Sequence, residues 1–177
     1  MRSHADLHTH SVAITGVLLA LAAVLGLVET LMLPSLPVPG VRLGLANIAV
    51  VVALAVVGPA GAFFVAIGRV FIVGLATGAL LGPTSALSLA GAAGAWAVMV
   101  AIRSRGDRFS CVGWSVAGSA ANVLAQLMMA VVLTGAAAPL VLLPLSLGLS
   151  LPSGIGVGFA ARALLSRISR PVVSFVG

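Results

Sequence analysis

Six strongly polar side chains lie within or at the edges of otherwise apolar segments of this sequence of 177 residues. They are Glu29, Arg42, Asn47, Arg69, Asn122 and Gln126. Ionisable groups in such surroundings are costly and normally face a partner or a cavity. Guanidinium groups can hold an anion, a carboxylate can act as their counter-charge and amides can form hydrogen bonds, so these six residues are the candidate binding residues.

Glu29 and Arg42 lie on either side of a short proline-rich link. A link of this length makes the flanking segments antiparallel neighbours, so the two side chains either pair to fix a hairpin or contribute to a ligand site. Asn47 lies five residues beyond Arg42, about 7 Å further along a helix. Its amide either bonds to a neighbouring helix or meets a ligand.

Arg69 is the strongest single candidate for a binding residue because it lies near the middle of an apolar segment. An arginine there costs at least ~2.5 kcal/mol unless it is paired or hydrated. It therefore has either a buried partner such as Glu29 or a role in binding an anion in a cavity. Asn122 and Gln126 are four residues apart and share one helix face, where they either link helices or form a recognition surface.

The sequence lacks the usual catalytic and metal-binding patterns. Its three acidic residues are far apart, so they cannot form the acid-rich Mg²⁺ site that diphosphate chemistry needs, and no phosphate-binding loop is present. His4, His8 and His10 near the N-terminus are weak evidence for a metal. We expect no enzymatic activity of the chain alone, no cofactor and no metal.

Composition explains which elements must position the six residues. Hydrophobic residues make up 61% of the chain and charged residues only 7%, far from the roughly 25% charged residues of soluble domains. Long apolar runs predict an all-α membrane protein with one transmembrane domain over 1–170 and a tail over 171–177. Six spans are predicted: Ser11–Leu33, Val41–Val57, Ala60–Leu81, Thr84–Ile102, Cys111–Thr134 and Pro139–Leu165, the last kinked or broken at its prolines.

The arginines predict the orientation of these spans. Six spans place the N-terminus, the link after the fourth span and the C-terminus on one side, which then carries seven arginines: Arg2, Arg103, Arg105, Arg108, Arg162, Arg167 and Arg170. Only Arg42 lies near the opposite surface. The positive-inside rule then puts both termini in the cytoplasm, and it explains the net charge of +6 better than nucleic-acid binding does.

Small residues on the first span form two pairs four residues apart, Gly16 with Ala20 and Ala22 with Gly26. Small residues let membrane helices approach closely. The two pairs serve either packing within the chain or docking of another membrane protein.

The segment "PVPGVRLGLANI" resembles the signature of the Gx transporter family, also labelled heptaprenyl diphosphate synthase component I. The resemblance continues through "GRVFIVGLATGALLGPTSALSLAGAAGAWAVM" and "FSCVGWSVAGSAANVLAQL" and covers about two thirds of the chain. Positions that look like those of the family are Glu29, Pro39, Gly40, Leu43, Gly44, Asn47, Arg69, Ser88, Gly91 and Gln126, with Arg42 where the family has a basic residue. The family commonly has the sequence His-Asn-Leu-Gly-Gln where this chain has "NVLAQ", so Asn122 replaces a histidine. If that histidine takes part in ligand binding or proton handling, this member differs in substrate or lacks the activity.

The family is similar to the substrate-binding S components of energy-coupling factor (ECF) transporters. The resemblance implies a six-helix subunit in the bacterial cytoplasmic membrane that binds a small solute in an outward-facing pocket. A transmembrane coupling subunit and ATPases would be its partners besides membrane lipids. The resemblance also implies an alternative, a membrane subunit of quinone or isoprenoid metabolism or of flavin-linked extracellular electron transfer beside a membrane-anchored redox partner.

Overall fold

The computed structural model describes residues 4–32, 44–105 and 109–172, with side chains over 10–31, 44–105 and 109–168. These ranges contain six α-helices, one 3₁₀ helix over Ala138–Leu142, and no strand. The α-helices are α1 (His4–Met32), α2 (Ala46–Val56), α3 (Pro59–Ala76), α4 (Pro83–Arg103), α5 (Cys111–Thr134) and α6 (Leu143–Val172). The prediction of an all-α fold is confirmed for the described residues.

Within the part of the chain that the structure describes, five helical segments are long and apolar enough to cross a membrane. They are His10–Leu31, Pro59–Ala76, Pro83–Arg103, Cys111–Thr134 and Ala138–Ile168. Large apolar side chains such as Phe64, Leu75 and Val132 are exposed on their outer faces, which suits contact with lipid. The chain is therefore a multi-pass membrane protein.

Helix α2 differs from the predicted second span, which began at Val41 and ran to Val57. It has 11 residues, about 16 Å of helix and roughly half of a hydrocarbon core. Gly44 explains why the helix begins no earlier than this: its φ of 69° is left-handed and incompatible with a continuing right-handed helix. Gly58, with a φ of 103°, separates α2 from Pro59 at the start of α3.

Helix α2 packs among α1, α3, α5 and α6. Going round the bundle, α1 packs on α3, α3 on α4, α4 on α5, α5 on α6, and α6 on α2, which returns to α1. Helix α2 also contacts α3 and α5, and eight of its residues are buried. Each helix runs opposite to the one before it in the chain, so α1 and α3 are parallel, as the approach of Leu19 to Gly68 and of Gly26 to Val73 shows. Helices α1, α3 and α5 therefore finish at the end of the bundle where α2, α4 and α6 begin.

We name the two ends by their residues. The cavity end holds the last turns of α1, α3 and α5 together with the 3₁₀ helix, and the arginine end holds the first turns of α3 and α5 with the last turns of α4 and α6. The described arginines of the arginine end are Arg103, Arg105, Arg162 and Arg167. Its packing is tight, since Gly158 on α6 lies so close to Val112 that an added Cβ would be 2.6 Å from the Cα of that residue.

The last span differs from the predicted Pro139–Leu165. A 3₁₀ helix forms first, and α6 begins at Leu143, with Pro144 in its first turn where a missing N–H is tolerated. The helix assignment then runs through Pro152 without a break and continues to Val172. The interruption therefore lies before Pro144 rather than at Pro152, and residues 173–177 of the predicted tail lie outside the described part.

Candidate functional site

A polar cavity of about 150 Å³ lies at the cavity end of the bundle. The final turns of α1, the second halves of α3 and α5, and the first turns of α2 and α4 form its walls. Five of the six candidate residues line it together: Glu29, Asn47, Arg69, Asn122 and Gln126. Arg42, the sixth, lies outside the described residues, and so does its predicted pairing with Glu29.

Arg69 and Asn47 form the central contact of this polar cavity. The Nη2 of Arg69 donates a hydrogen bond to the Oδ1 of Asn47 over 3.0 Å. Hydrogen bonds from a charged donor are stronger than neutral ones. Asn47 is therefore a partner that positions the guanidinium, a role for which the sequence suggested Glu29 as an example.

Glu29 is only 5% exposed, and one of its carboxylate oxygens accepts a hydrogen bond from the backbone N–H of Gly44 over 2.8 Å. The left-handed conformation of Gly44 turns the chain into α2 here. This bond joins the end of α1 to the beginning of α2. Glu29 thereby helps to fix the position of Asn47, which lies in the first turn of that helix.

Asn122 and Gln126 approach α4 closely because residue 91 is a glycine. A Cβ added at Gly91 would lie 2.5 Å from the Oδ1 of Asn122 and 2.7 Å from the Nε2 of Gln126. No side chain larger than hydrogen fits there unless the amides move. Gly91 therefore makes room for the two amides between α4 and α5, where they line the polar cavity.

The hydroxyl groups of the polar cavity were not among the candidate residues. Those of Thr30, Thr77 and Ser88 each donate to the backbone carbonyl four residues earlier, and that of Ser85 donates to the carbonyl of Ala79. A hydroxyl whose proton is used in this way still has lone pairs for a donor on a ligand. The signal in the sequence was the cluster of polar residues immediately after Gly82 and Pro83, together with Thr30 beside Glu29.

This arrangement can bind a small polar molecule. Arg69 and the amides supply donors, and the hydroxyl and amide oxygens supply acceptors. Such convergent polar groups in an otherwise apolar protein are typical of ligand sites. Within the described residues, no three His, Cys, Asp or Glu side chains are grouped as a metal site requires.

The family model of heptaprenyl diphosphate synthase component I matches residues 18–164, which is more than half of the chain. The chain belongs to this family. The match confirms the resemblance to this family, and it includes every residue that lines the polar cavity. No curated protein and no solved structure matches the chain significantly.

The two small-residue pairs of α1 differ in this member of the synthase component I family. Ala22 and Gly26 are buried, and Gly26 lies against Val73 of α3 and Ala46 of α2. Their surroundings agree with packing within the chain, the first of the two alternatives, because their neighbours belong to the same chain. Gly16 and Ala20 are exposed, so docking at these two stays a prediction.

Proposed function

We propose that the chain is a membrane subunit that binds a small solute in the polar cavity. The observation that carries this proposal is the arrangement of Glu29, Asn47, Arg69, Asn122 and Gln126 around one cavity, with Arg69 bonded to Asn47. Burying several polar groups in a membrane protein is unfavourable unless they face a partner or a cavity. A ligand that bonds to these groups accounts for their placement.

The roles within the polar cavity follow from their chemistry. Arg69 is the anion-binding donor and Glu29 is the counter-charge, and Arg42, which lies outside the described residues, is proposed as a second donor. Asn47, Asn122 and Gln126 are hydrogen-bond partners of the ligand. The chain performs no catalysis by itself in this proposal.

The proposal extends to orientation and partners. The cavity end faces outward and both termini lie in the cytoplasm of a bacterium, so the polar cavity receives solute from outside. The excess of arginine at the opposite end supports this orientation. Uptake then needs a coupling subunit and ATPases, as in ECF-type transporters, because the sequence has no nucleotide-binding motif.

A second candidate function is a membrane subunit of quinone or isoprenoid metabolism, or of flavin-linked electron transfer. The family description, a component of a prenyl diphosphate synthase, favours it. Under this function the purified chain retains a quinone or prenyl lipid after mild extraction.

Mass spectrometry of small molecules that co-purify with the chain tests the proposed function. The wild type should carry a polar molecule that Arg69→Gln loses. Arg167→Gln is the matched control, since it removes the same charge from an exposed position at the arginine end. Equal amounts of the same molecule on all three proteins would show that Arg69 is structural and that the binding site lies elsewhere.

A further inference from the structure

A second cavity, of about 240 Å³, lies beside the polar one at the cavity end. We call it the apolar cavity, because its walls are almost entirely hydrocarbon. It lies between the start of α4, the second half of α5, the 3₁₀ helix and the first turn of α6. Its walls include Gln126, Leu127, Ala130, Leu142 and Ser146.

Gln126 lines both cavities. On α5, Asn122 and Gln126 face the polar cavity, whereas Val123, Leu127 and Ala130 follow the adjacent helix face into the apolar cavity. Gln126 therefore lies on the boundary between the two faces. A ligand that bonds to its amide in the polar cavity is already at the wall of the apolar one.

Ser146 gives the apolar cavity one specific polar feature. The residue is 2% exposed, and its Oγ is buried without a hydrogen-bond partner among the described residues. Burying a hydroxyl without a partner is unfavourable. An occupant with an acceptor in this position would satisfy it, which the hydrocarbon chain of a lipid cannot do.

The size of the apolar cavity sets the size of its occupant. A dry apolar cavity of about 150 Å³ is large enough to take up benzene. The apolar cavity of this chain is larger and therefore has room for a substituted ring or a short branched chain. The polar cavity, in contrast, has room for little more than a small head group.

We propose that the ligand is amphipathic, with an acidic head at Arg69 in the polar cavity and an apolar body in the apolar cavity. The body passes Gln126 and carries a hydrogen-bond acceptor that meets Ser146. This inference rests on the proposed function, because the polar cavity must hold the head. It adds the chemical class of the ligand.

A series of carboxylates that end in a phenyl ring, from phenylacetate to 8-phenyloctanoate, tests the inference. Their binding is measured by calorimetry on the full chain in lipid nanodiscs. We expect the affinity to rise by about tenfold or more at the one chain length that lets the ring enter the apolar cavity. This stepwise rise in affinity is measured on the wild type and needs no variant.

Two variants of α5 test whether this rise in affinity comes from the apolar cavity. Ala130→Leu fills the apolar cavity and should remove the step, whereas Val132→Leu enlarges an exposed side chain on the same helix and should keep it. A ring with a para-acetyl group should bind more tightly than the plain ring to the wild type. Ser146→Ala should abolish this further gain.

The outcomes separate the two proposals. A smooth rise with each added methylene, unchanged by Ala130→Leu, indicates partition into lipid and overturns the amphipathic ligand while the polar site stands. Failure of every carboxylate to bind, with no molecule co-purifying with the wild type, overturns the proposed function as well.

Discussion

The two ends of the bundle use buried polar groups in different ways. At the arginine end, Ser115 donates to the backbone carbonyl of Gly154 over 2.7 Å, and the ring of Trp114 lies 5.8 Å from the guanidinium carbon of Arg103. At the cavity end, Arg69 and the amides surround a space that side chains leave open. The first arrangement joins helices to one another, and under the proposed function the second presents polar groups to a ligand.

Glycine residues also have different roles at the two ends. Gly158 on α6 brings two helices into contact at the arginine end, where the backbone and side chains of α5 fill the space. Gly91 instead makes room for the amides of Asn122 and Gln126 beside the polar cavity. Small residues thus serve helix packing at one end and the shape of a site at the other.

The largest expected effect is a difference in thiol labelling between the two ends, which shows which end faces outward. In a Cys111→Ser background, Leu81→Cys and Ser104→Cys place single exposed thiols at the cavity end and the arginine end respectively. A membrane-impermeant maleimide added to intact cells should label the first and leave the second unlabelled. After the cells are permeabilised, both should react.

The reverse labelling pattern would contradict the outward-facing site. It would place the polar cavity on the cytoplasmic side and remove the reason for an uptake role. Labelling of both thiols in intact cells would instead place positions 81 and 104 on the same side of the membrane. In that case α4 would not cross it.

An intermediate effect should follow from Gly91→Ala. The new methyl group would displace the amides of Asn122 and Gln126, so we expect about a tenfold loss in affinity for the co-purified molecule, equal to about 1.4 kcal/mol. Gly156→Ala is the control, because an added Cβ there has no neighbour within 4 Å. Equal affinities of the two variants would show that the amides at the cavity end are structural, like the polar groups at the arginine end.

The smallest effect should come from Ser115→Ala at the arginine end. The variant loses one buried hydrogen bond between helices, and such bonds contribute about 0.6 kcal/mol on average in a membrane protein. Thermal unfolding in one detergent measures the loss, with Ser166→Ala as a control, since the hydroxyl of Ser166 bonds only within its own exposed turn. A change in ligand content for Ser115→Ala would break the distinction between the two ends.

Much of the fold and part of the site could be predicted from the sequence. Apolar length, the Gly-Pro breaks and the polar link before Cys111 predicted α4 and α5 to within one residue, and α3 except for an end placed five residues too late. The rarity of polar side chains in apolar segments was enough to pick out Arg69 and its neighbours. That they line one cavity depends on the order of helices around α2, which no local pattern encodes.

Other features depend on tertiary contacts. The run from Val41 to Val57 is apolar throughout most of its length, so the late start of α2 after Gly44 was not visible. Ala22 and Gly26 have the same spacing as Gly16 and Ala20, and only the packing around α1 distinguishes the buried pair from the exposed one. The apolar cavity was missed because residues such as Ala130 and Leu142 look like ordinary helix-packing residues.

The burial of α2 has a consequence for how the protein is made. With eight of its 11 residues buried, this helix has little surface to offer to lipid, and it is too short to cross the hydrocarbon core unaided. Its final position therefore requires neighbours from both halves of the chain, including α5 and α6, which are synthesised last. Completion of the polar cavity, whose wall includes Asn47 at the start of α2, is then a late event in biogenesis.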